Sequence, residues 1–128
     1  MDNDRLIDAA WQAREQAYAP YSRFSVGAAL LGADGSVFTG ANVENLSFGL
    51  TICAERVAIS GAVAAGARRF ERIAVVADTT TPVSPCGACR QVRAEFGIRQ
   101  IVLANRHEIL EFNLDELLPR ASEGILDR

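Results

Sequence analysis

Hydrophobic positions near the start of the chain recur every three or four residues, with charged residues between them: Leu6, Ala9, Ala10, Ala13 and Ala17. This spacing places the apolar side chains on one face of an amphipathic helix. We expect the helix to continue until Pro20, because proline lacks the N–H that a helix interior requires.

Two short apolar runs follow, at 26–31 and 36–40, and Asp34-Gly35 lies between them. An Asp-Gly pair between apolar runs is a strong signal for a two-residue hairpin, because glycine tolerates a positive φ. The pattern therefore predicts two antiparallel neighbouring strands.

The later part of the chain alternates helical and strand patterns. Residues 42–51 are rich in turn formers and predict a loop, and the nearly uncharged stretch 53–65 predicts a largely buried helix that ends at Gly66. Further elements are expected over these ranges: strands at 72–77, 100–104 and 109–112, and helices at 85–96, ending at Gly97, and at 114–118. Alternating elements after a hairpin favour an α/β layered domain with a mixed sheet.

Composition narrows the class of protein. The 128 residues are 49% hydrophobic and 23% charged, which fits one globular domain spanning 1–128. A net charge of −3 argues against a duplex-binding protein. The longest uncharged apolar-rich run, 57–67, is far shorter than the roughly 20 residues that span a bilayer, and the acidic start lacks the pattern of a secretory signal. We therefore expect a cytoplasmic protein with neither a nucleic-acid nor a membrane partner.

Three cysteines, Cys53, Cys86 and Cys89, are the sharpest chemical signal, and an odd number cannot all pair within the chain. Cys86-Gly-Ala-Cys89 has a C-x-x-C spacing, which by itself fits a zinc half-site, a redox pair or a chance arrangement. Pro85 predicts that both sulfurs lie on the first turn of a helix, where the helix dipole stabilises thiolates. Cys53 begins the other predicted helix, so its sulfur lies in the same kind of field.

Together the three sulfurs offer ligands for one tetrahedral ion. Structural zinc sites usually have four protein ligands, whereas catalytic sites keep one position open for water. The single histidine, His107, lies in a polar stretch and is expected to be an ordinary surface residue. A fourth protein ligand is therefore hard to find, which favours a catalytic zinc.

Glu55 and Arg56 lie beside the first cysteine. Glu55, two residues after Cys53, is the natural acid–base partner that would carry a proton between water and substrate; alternatively, it only stabilises the first turn of its helix. Arg56 lies on nearly the same helix face as Cys53 and would offset the excess negative charge of three thiolates on Zn²⁺. A surface arginine paired with a carboxylate is an equal alternative.

Cys53-Ala-Glu55 followed by Pro85-Cys86-x-x-Cys89 is the signature of zinc nucleobase deaminases in the variant with three cysteines. The segments YSRFSVGAAL, NVEN, GLTICAERVAIS and SPCGACRQV, spread over most of the chain, resemble those of the small homotetrameric zinc-dependent cytidine deaminases. The resemblance implies a zinc hydrolase of pyrimidine salvage that converts cytidine and deoxycytidine to uridine and deoxyuridine with release of ammonia. It also implies a three-layer α/β/α sandwich with a mixed five-stranded sheet, and a homotetramer whose active sites lie near subunit boundaries.

The same resemblance assigns the chemistry residue by residue. Cys53, Cys86 and Cys89 match the zinc ligands of the family. Glu55 matches the proton shuttle, and Arg56 matches the residue that compensates the third thiolate.

Contacts with the substrate follow from the resemblance as well. Asn42 and Glu44 match the side chains that hold the ribose hydroxyls, and Phe24 matches an aromatic residue beside the pyrimidine. Backbone groups around Ala54 and Ser84 are expected to read the polar edge of the base. Glu44 would also repel a phosphate, which favours free nucleosides over nucleotides or DNA.

Some positions depart from the pattern that is frequent in the family: Leu46 for Ala, Phe48 for Tyr and Val57 for Thr. The tail departs too, because no aromatic residue follows Phe112, whereas the family often has one that packs on the base in a neighbouring subunit. We expect Ile125 and Leu126 to be the nearest apolar side chains that can cover the base.

Three alternatives stay open. A structural zinc module would require a fourth ligand and would leave NVEN unexplained. A thiol–disulfide enzyme would use Cys86 and Cys89 but leave Cys53 and Glu55 idle. A deaminase of a modified cytosine nucleoside such as blasticidin S would share the zinc site, although the match of NVEN favours ordinary ribose.

Overall fold

The computed structural model describes residues 1–121. Its helices and strands follow one another in this order: α1 (Asn3–Arg14), β1 (Val26–Gly32), β2 (Val37–Ala41), α2 (Ala54–Ala64), β3 (Phe70–Ala77), α3 (Gly87–Glu95), β4 (Gln100–Ala104), β5 (Ile109–Asn113) and α4 (Leu114–Leu117). A short 3₁₀ turn, Phe48–Leu50, lies in the long connection between β2 and α2. In this part of the chain, no helix has the length and apolar character that crossing a bilayer demands.

The strands form a five-stranded mixed sheet in the order β2-β1-β3-β4-β5. β1 pairs antiparallel with β2 and with β3, β4 pairs antiparallel with β5, and β3 and β4 run parallel. A parallel pair requires a crossover connection, and α3 supplies it between β3 and β4. The start of α3 therefore lies on the side of the sheet where the carboxyl end of β3 is.

Helices cover both faces of this sheet. Leu6 and Ala10 of α1 pack on one face against apolar residues of β1, β3 and β4. On the other face, Ala58 and Ile59 of α2 belong to a larger apolar cluster that also contains Ile73 of β3 and parts of α3. The architecture is the three-layer α/β/α sandwich that the resemblance predicts.

Two glycines let helices lie close to the sheet. A Cβ at Gly27 of β1 would lie 2.0 Å from the carbonyl oxygen of Ala10, and a Cβ at Gly40 of β2 would lie 2.5 Å from that of Ala54. Neither distance is possible for a real side chain, so only glycine fits. Gly40 therefore allows the first turn of α2 to lie directly on the edge of the sheet.

The first helix is shorter than predicted. α1 ends at Arg14, and the expectation that it continues to Pro20 is wrong. Tyr18 instead pairs like a strand residue with the segment after β2: its N–H donates to the oxygen of Asn42 at 2.9 Å, and its oxygen accepts from the N–H of Glu44 at 2.8 Å. This tertiary pairing outweighs the helix propensity of the nearby alanines.

The hairpin between β1 and β2 forms as predicted, but its loop is longer than two residues. The N–H of Gly35 donates to the oxygen of Gly32 at 3.0 Å, and the N–H of Gly32 donates to that of Ser36 at 2.8 Å. Gly35 has a φ of +91°, which favours glycine at this position. Asp34 also accepts a hydrogen bond from the N–H of Ser36 at 2.9 Å, which stabilises this wider turn.

α2 is buried along one face, not around most of its circumference. Its buried residues face the sheet: Ala54, Glu55, Ala58, Ile59 and Ala62. Ser60, Gly61 and Ala64 on its outer side are exposed in the single chain. The prediction of a largely buried helix is therefore wrong for one chain alone, because no element within residues 1–121 covers that outer side.

Candidate active site

Two helices begin at the same place in the fold and bring the three cysteines together. Cys53 is the N-terminal cap of α2, and Cys86 is the N-terminal cap of α3. Cys89 lies in the first turn of α3 and is buried, and its N–H donates to the sulfur of Cys86 at 3.4 Å. All three sulfurs therefore lie at the positive ends of helix dipoles, as the sequence predicts.

The spacing of the sulfurs fits a tetrahedral metal ion. The sulfurs of Cys53 and Cys86 are 3.7 Å apart, those of Cys86 and Cys89 are 3.3 Å apart, and all three lie within 4.8 Å of one another. Zinc with Zn–S bonds of about 2.3 Å and tetrahedral angles places its sulfurs about 3.8 Å apart. The cysteines are free thiols, not a disulfide. The donor set fits zinc with three thiolate ligands.

The surroundings favour ionisation of one of these sulfurs. Hydrogen bonds from Cys89 and Arg56 outweigh burial and lower the pKa of Cys53 to about 5. The pKa of Cys89 is raised, first by its hydrogen bond with Cys53 and then by burial. A divalent cation displaces the protons that remain on these sulfurs when they ligate it as thiolates.

Arg56 contacts the cluster directly. Its Nη2 donates to the sulfur of Cys53 at 3.5 Å, and this bond is the main reason why the pKa of Arg56 is raised. Among residues 1–121, no carboxylate forms an ion pair with Arg56. The guanidinium therefore lies where charge compensation of the sulfurs requires it, not where a simple surface ion pair would put it.

Glu55 is buried beside the sulfurs, with only 4% of its surface exposed. Its Oε2 accepts a hydrogen bond from Nη2 of Arg93 at 2.5 Å. Burial raises the pKa of Glu55 in spite of the opposing charge of Arg93. A buried carboxyl group beside the sulfurs, with a raised pKa, is suited to proton transfer and not only to stabilising a helix end.

Arg93 is the residue of this site that sequence reasoning missed. It lies on α3 one turn after Cys89 and is fully buried. Residues four apart lie on the same face of a helix. A helix face that buries the sulfur of Cys89 must therefore bury Arg93 as well, and this spacing is the signal that could have identified it.

A cavity of about 260 Å³ opens beside the cysteines. Every position that the resemblance assigns to substrate contact lines it, together with two of the cysteines and Glu55: Phe24, Asn42, Glu44, Cys53, Ala54, Glu55, Ser84 and Cys86. Phe24 is 41% exposed, so its ring is accessible from the cavity and is not part of the core. The predicted substrate residues thus converge on one recess.

Asn42 also organises the wall of this cavity. Its amide oxygen accepts from the N–H of Val26 at 2.9 Å, and its amide nitrogen donates to the oxygen of Phe24 at 2.8 Å. An amide oxygen has two lone pairs and the nitrogen two hydrogens. Asn42 therefore fixes the backbone around Phe24 and retains capacity for a ligand.

Glu44 also lines the cavity and is held by the segment at Tyr21 and Ser22. Its Oε1 accepts from the N–H groups of Tyr21 and Ser22 at 2.9 and 3.1 Å, and its Oε2 accepts from the hydroxyl of Ser22. These hydrogen bonds, led by that of the Ser22 hydroxyl, lower the pKa of Glu44. Glu44 therefore carries a negative charge at the mouth of the cavity.

An exposed apolar rim extends from the cavity: Val43, Leu46, Phe48, Leu50 and Ile52. Phe48 is 74% exposed, and its ring contacts that of Tyr21 edge to face at a centroid distance of 6.0 Å. Leu46 and Phe48 are two of the positions at which this chain departs from the family pattern. All five residues of the rim lie in the connection between β2 and α2, and grouped exposed apolar residues mark an interaction surface.

Two remaining predictions concern residues away from the cluster. His107 is exposed, and its N–H donates to the side-chain oxygen of Asn105, so it behaves as the surface residue that the sequence predicts. Ile125 and Leu126 lie outside the residues that the structure describes.

Comparison with known proteins agrees with this geometry. The family model of the cytidine and deoxycytidylate deaminase zinc-binding region matches residues 1–105. The cytidine deaminase of Halalkalibacterium halodurans is 57% identical over 124 residues, which cover 94% of each chain. That of Sporosarcina psychrophila is 53% identical over 124 residues, which cover 94% of this chain and 91% of the relative.

The likeness extends to three dimensions. The chain superposes on the crystal structure of cytidine deaminase from Burkholderia pseudomallei with a TM-score of 0.90 and 52% sequence identity. The match covers 93% of this chain and 98% of that one. Sequence and fold therefore point to the same group of proteins.

Proposed function

The chain belongs to the family of cytidine and deoxycytidylate deaminases, and on that premise we propose that it hydrolyses cytidine and deoxycytidine to uridine and deoxyuridine with release of ammonia. One observation carries the proposal: three sulfurs spaced for a metal ion and a buried carboxyl group lie at the same cavity. In this proposal the enzyme is a zinc hydrolase of pyrimidine salvage.

Cys53, Cys86 and Cys89 would hold the zinc ion. When bound by three protein ligands, zinc lowers the pKa of water to about 7 and so makes hydroxide available at neutral pH. Arg56 supports this arrangement, because its guanidinium offsets the surplus negative charge of three thiolates and lies 3.5 Å from the sulfur of Cys53.

Glu55 moves the proton. It would accept a proton from the attacking water, whose oxygen bonds to the amino-bearing carbon, and deliver that proton to the adjacent ring nitrogen. The remaining proton of the same oxygen would then pass to the amino group, so that the carbon–nitrogen bond breaks as the carbonyl forms. The overall balance is one water consumed and one ammonia released. Burial supports this role, since it raises the pKa of Glu55 towards the range where a carboxyl group both accepts and donates protons.

The wall of the cavity would hold the nucleoside. Phe24 packs on the pyrimidine, the N–H of Ala54 and the carbonyl of Ser84 bind the polar edge of the base, and Asn42 and Glu44 bind the ribose hydroxyls. All five residues line the cavity. The charge of Glu44 disfavours a phosphate on the sugar, so free nucleosides are the substrates in this proposal.

The alternatives are weaker. A structural zinc site would need a fourth ligand, and the metal-spaced cluster within residues 1–121 consists of Cys53, Cys86 and Cys89. A thiol–disulfide enzyme would have no use for Cys53, whose sulfur lies 3.7 Å from that of Cys86. A deaminase of a modified nucleoside such as blasticidin S is less favoured, because the relatives described above are cytidine deaminases.

Assembly into a homotetramer is part of the proposal. The exposed apolar rim lies beside the cavity, and the small residues Ser60, Gly61 and Ala64 form the uncovered outer side of α2. Small side chains allow two helices to approach closely, and contiguous apolar surface marks an interface. Light scattering of the zinc-loaded protein should give four chains per particle, and a monomer would contradict this part of the proposal.

We place the enzyme in the cytoplasm, because a site made of free thiols needs a reducing compartment. Fractionation of the producing cells should recover the activity with cytoplasmic markers, and recovery from an oxidising compartment would contradict the placement.

An absorbance assay over a substrate panel tests the activity. The zinc-loaded enzyme should release ammonia from cytidine and deoxycytidine, and cytidine monophosphate should be a poor substrate because of Glu44. Adenosine, cytosine and blasticidin S serve as comparison substrates. Turnover of blasticidin S without turnover of cytidine would replace the proposal with its alternative, and turnover of none would reject deamination.

A further inference from the structure

Arg93 is the largest side chain that the described part of the fold buries completely. Its Nη2 lies 2.5 Å from Oε2 of Glu55, and the two side chains are 0% and 5% exposed. Arginine does not lose its proton in proteins. A fixed positive charge therefore contacts the residue that would transfer the proton.

Stability alone is a weak reason for an arginine here. Removing two charges from water is costly, and well-packed apolar residues often stabilise a core as well as a buried ion pair does. Within residues 1–121, Nε and Nη1 of Arg93 have no hydrogen-bond partner. Among those residues, the side-chain hydrogen bond of Arg93 is the one that it donates to Glu55. The guanidinium therefore contacts that carboxylate and is not part of a wider hydrogen-bond network.

Arg93 reaches Glu55 from the interior side. Glu55 lines the cavity beside Cys53 and Cys86, whereas Arg93 does not line it. Oε2 of Glu55 accepts its hydrogen bond from a guanidinium in the core. Rotation of the carboxylate would leave that buried guanidinium without a partner, so the carboxylate can rotate little. The other oxygen is therefore left to face the cavity in a fixed direction.

We propose that Arg93 is a positioning residue that holds the carboxylate of Glu55 in the orientation needed for proton transfer without touching the substrate. The proposal rests on the proposed function of Glu55. It predicts a loss of kcat with little change in KM, since the groups that would bind the nucleoside lie elsewhere on the cavity wall.

The zinc-loaded full-length enzyme provides the kinetic test. Arg93→Met should lower kcat by about 10²-fold, the size of effect that a misplaced catalytic group produces, while KM for cytidine changes little. Arg93→Lys keeps a charged donor and should restore most of the lost kcat. Arg99→Met is the matched control, because its ion pair with Asp115 is exposed, at 69% and 76% for the two side chains; it should leave kcat and KM unchanged.

Chemical denaturation gives a readout that does not depend on activity. Arg93→Met leaves the carboxylate of Glu55 buried and unpaired, whereas in a Glu55→Gln background it leaves only a neutral amide. The shift of the denaturation midpoint in the double variant should therefore be smaller than the sum of the two single shifts. Additive shifts would overturn the proposal, because they would show that Arg93 and Glu55 are not coupled.

The remaining outcomes are also decisive. If Arg93→Met does not fold, the double variant should still fold, since it carries no unpaired carboxylate; if the double variant also fails to fold, Arg93 acts through packing and the inference is wrong. An active wild type with unchanged kcat in Arg93→Met overturns this inference alone. A wild type that releases no ammonia from cytidine overturns the proposed function, and the inference with it.

Discussion

The two faces of the sheet differ in what they bury. On the α1 face, Leu6 and Ala10 belong to a cluster of buried residues that are all apolar, and the guanidinium of the exposed Arg106 lies 3.8 Å from the ring centre of Trp11. On the α2–α3 face, the apolar cluster adjoins a buried ion pair and three sulfurs. A buried charge costs free energy, so its presence on one face marks where chemistry, and not packing, selects the residue type.

The largest expected effect comes from the carboxyl group on the α2–α3 face. Glu55→Gln should keep the fold and the zinc, because Gln still offers an oxygen to Arg93. It should lower kcat by about 10²–10⁴-fold, which is the usual contribution of general acid–base catalysis. Steady-state kinetics and zinc analysis measure the two quantities. Glu95→Gln changes an exposed residue of α3 and is the control, which should keep the wild-type kcat. A near-normal kcat in Glu55→Gln would contradict the view that the α2–α3 face buries its charges for chemistry.

A change in the α1 face should affect stability and leave chemistry intact. Leu6 is fully buried there, and Leu6→Ala should lower the free energy of unfolding by about 2–5 kcal/mol through lost contacts and a cavity. Denaturation with urea measures this loss. The kcat of the folded, zinc-loaded variant should match the wild type, and Ile109→Ala, at a half-exposed position, should cost far less stability. A large fall in kcat would show that the α1 face also supports the chemistry.

Charge compensation at the sulfurs should have an intermediate effect. Arg56→Gln removes the guanidinium from the sulfur of Cys53 and should weaken zinc retention by about 10- to 100-fold, as loss of outer-shell partners does. Competition with a chelator measures this, and excess zinc should recover activity. Arg69→Gln, at an exposed position, should behave as the wild type. Equal zinc retention in both variants would reduce Arg56 to a surface residue.

The smallest effect is expected for an ion pair on the surface. Arg99 and Asp115 are 3.5 Å apart and both largely exposed, so Asp115→Asn should change the free energy of unfolding by about 0–1 kcal/mol. The same urea titration measures it. A loss as large as that of Leu6→Ala would contradict the view that charge matters in this fold mainly where it is buried.

Elements with local signals were predictable from the sequence. The strand expected at 100–104 coincides with Gln100–Ala104, and Gly66 and Gly97 follow their helices with φ of +97° and +62°. The end of α1 was not predictable in this way, because the partner of Tyr18 is the segment around Val43, far along the chain. Local sequence patterns cannot predict a pairing between residues so far apart in the chain.

In the site, too, local features were predictable from the sequence and tertiary contacts were not. Cysteine spacing and predicted helix starts pointed to Cys53, Cys86 and Cys89 as ligands of one ion, because a helix N-terminus is a local property, and the family resemblance assigned all three. Arg93 was not identified from the sequence, because its burial depends on which face of α3 meets α2. The hydrogen bonds of Asn42 with Phe24 and Val26 could not be read from NVEN alone, since they require the tertiary fold.

A zinc titration tests the central claim most directly. Enzyme stripped of metal by a chelator is given increasing Zn²⁺ while the absorbance change of cytidine is followed. The account predicts no deamination without metal, and activity that rises linearly and saturates at one zinc ion per chain, as the cluster of Cys53, Cys86 and Cys89 requires. Activity that is indifferent to zinc, or a chain that binds one zinc ion and leaves cytidine unchanged, would contradict it.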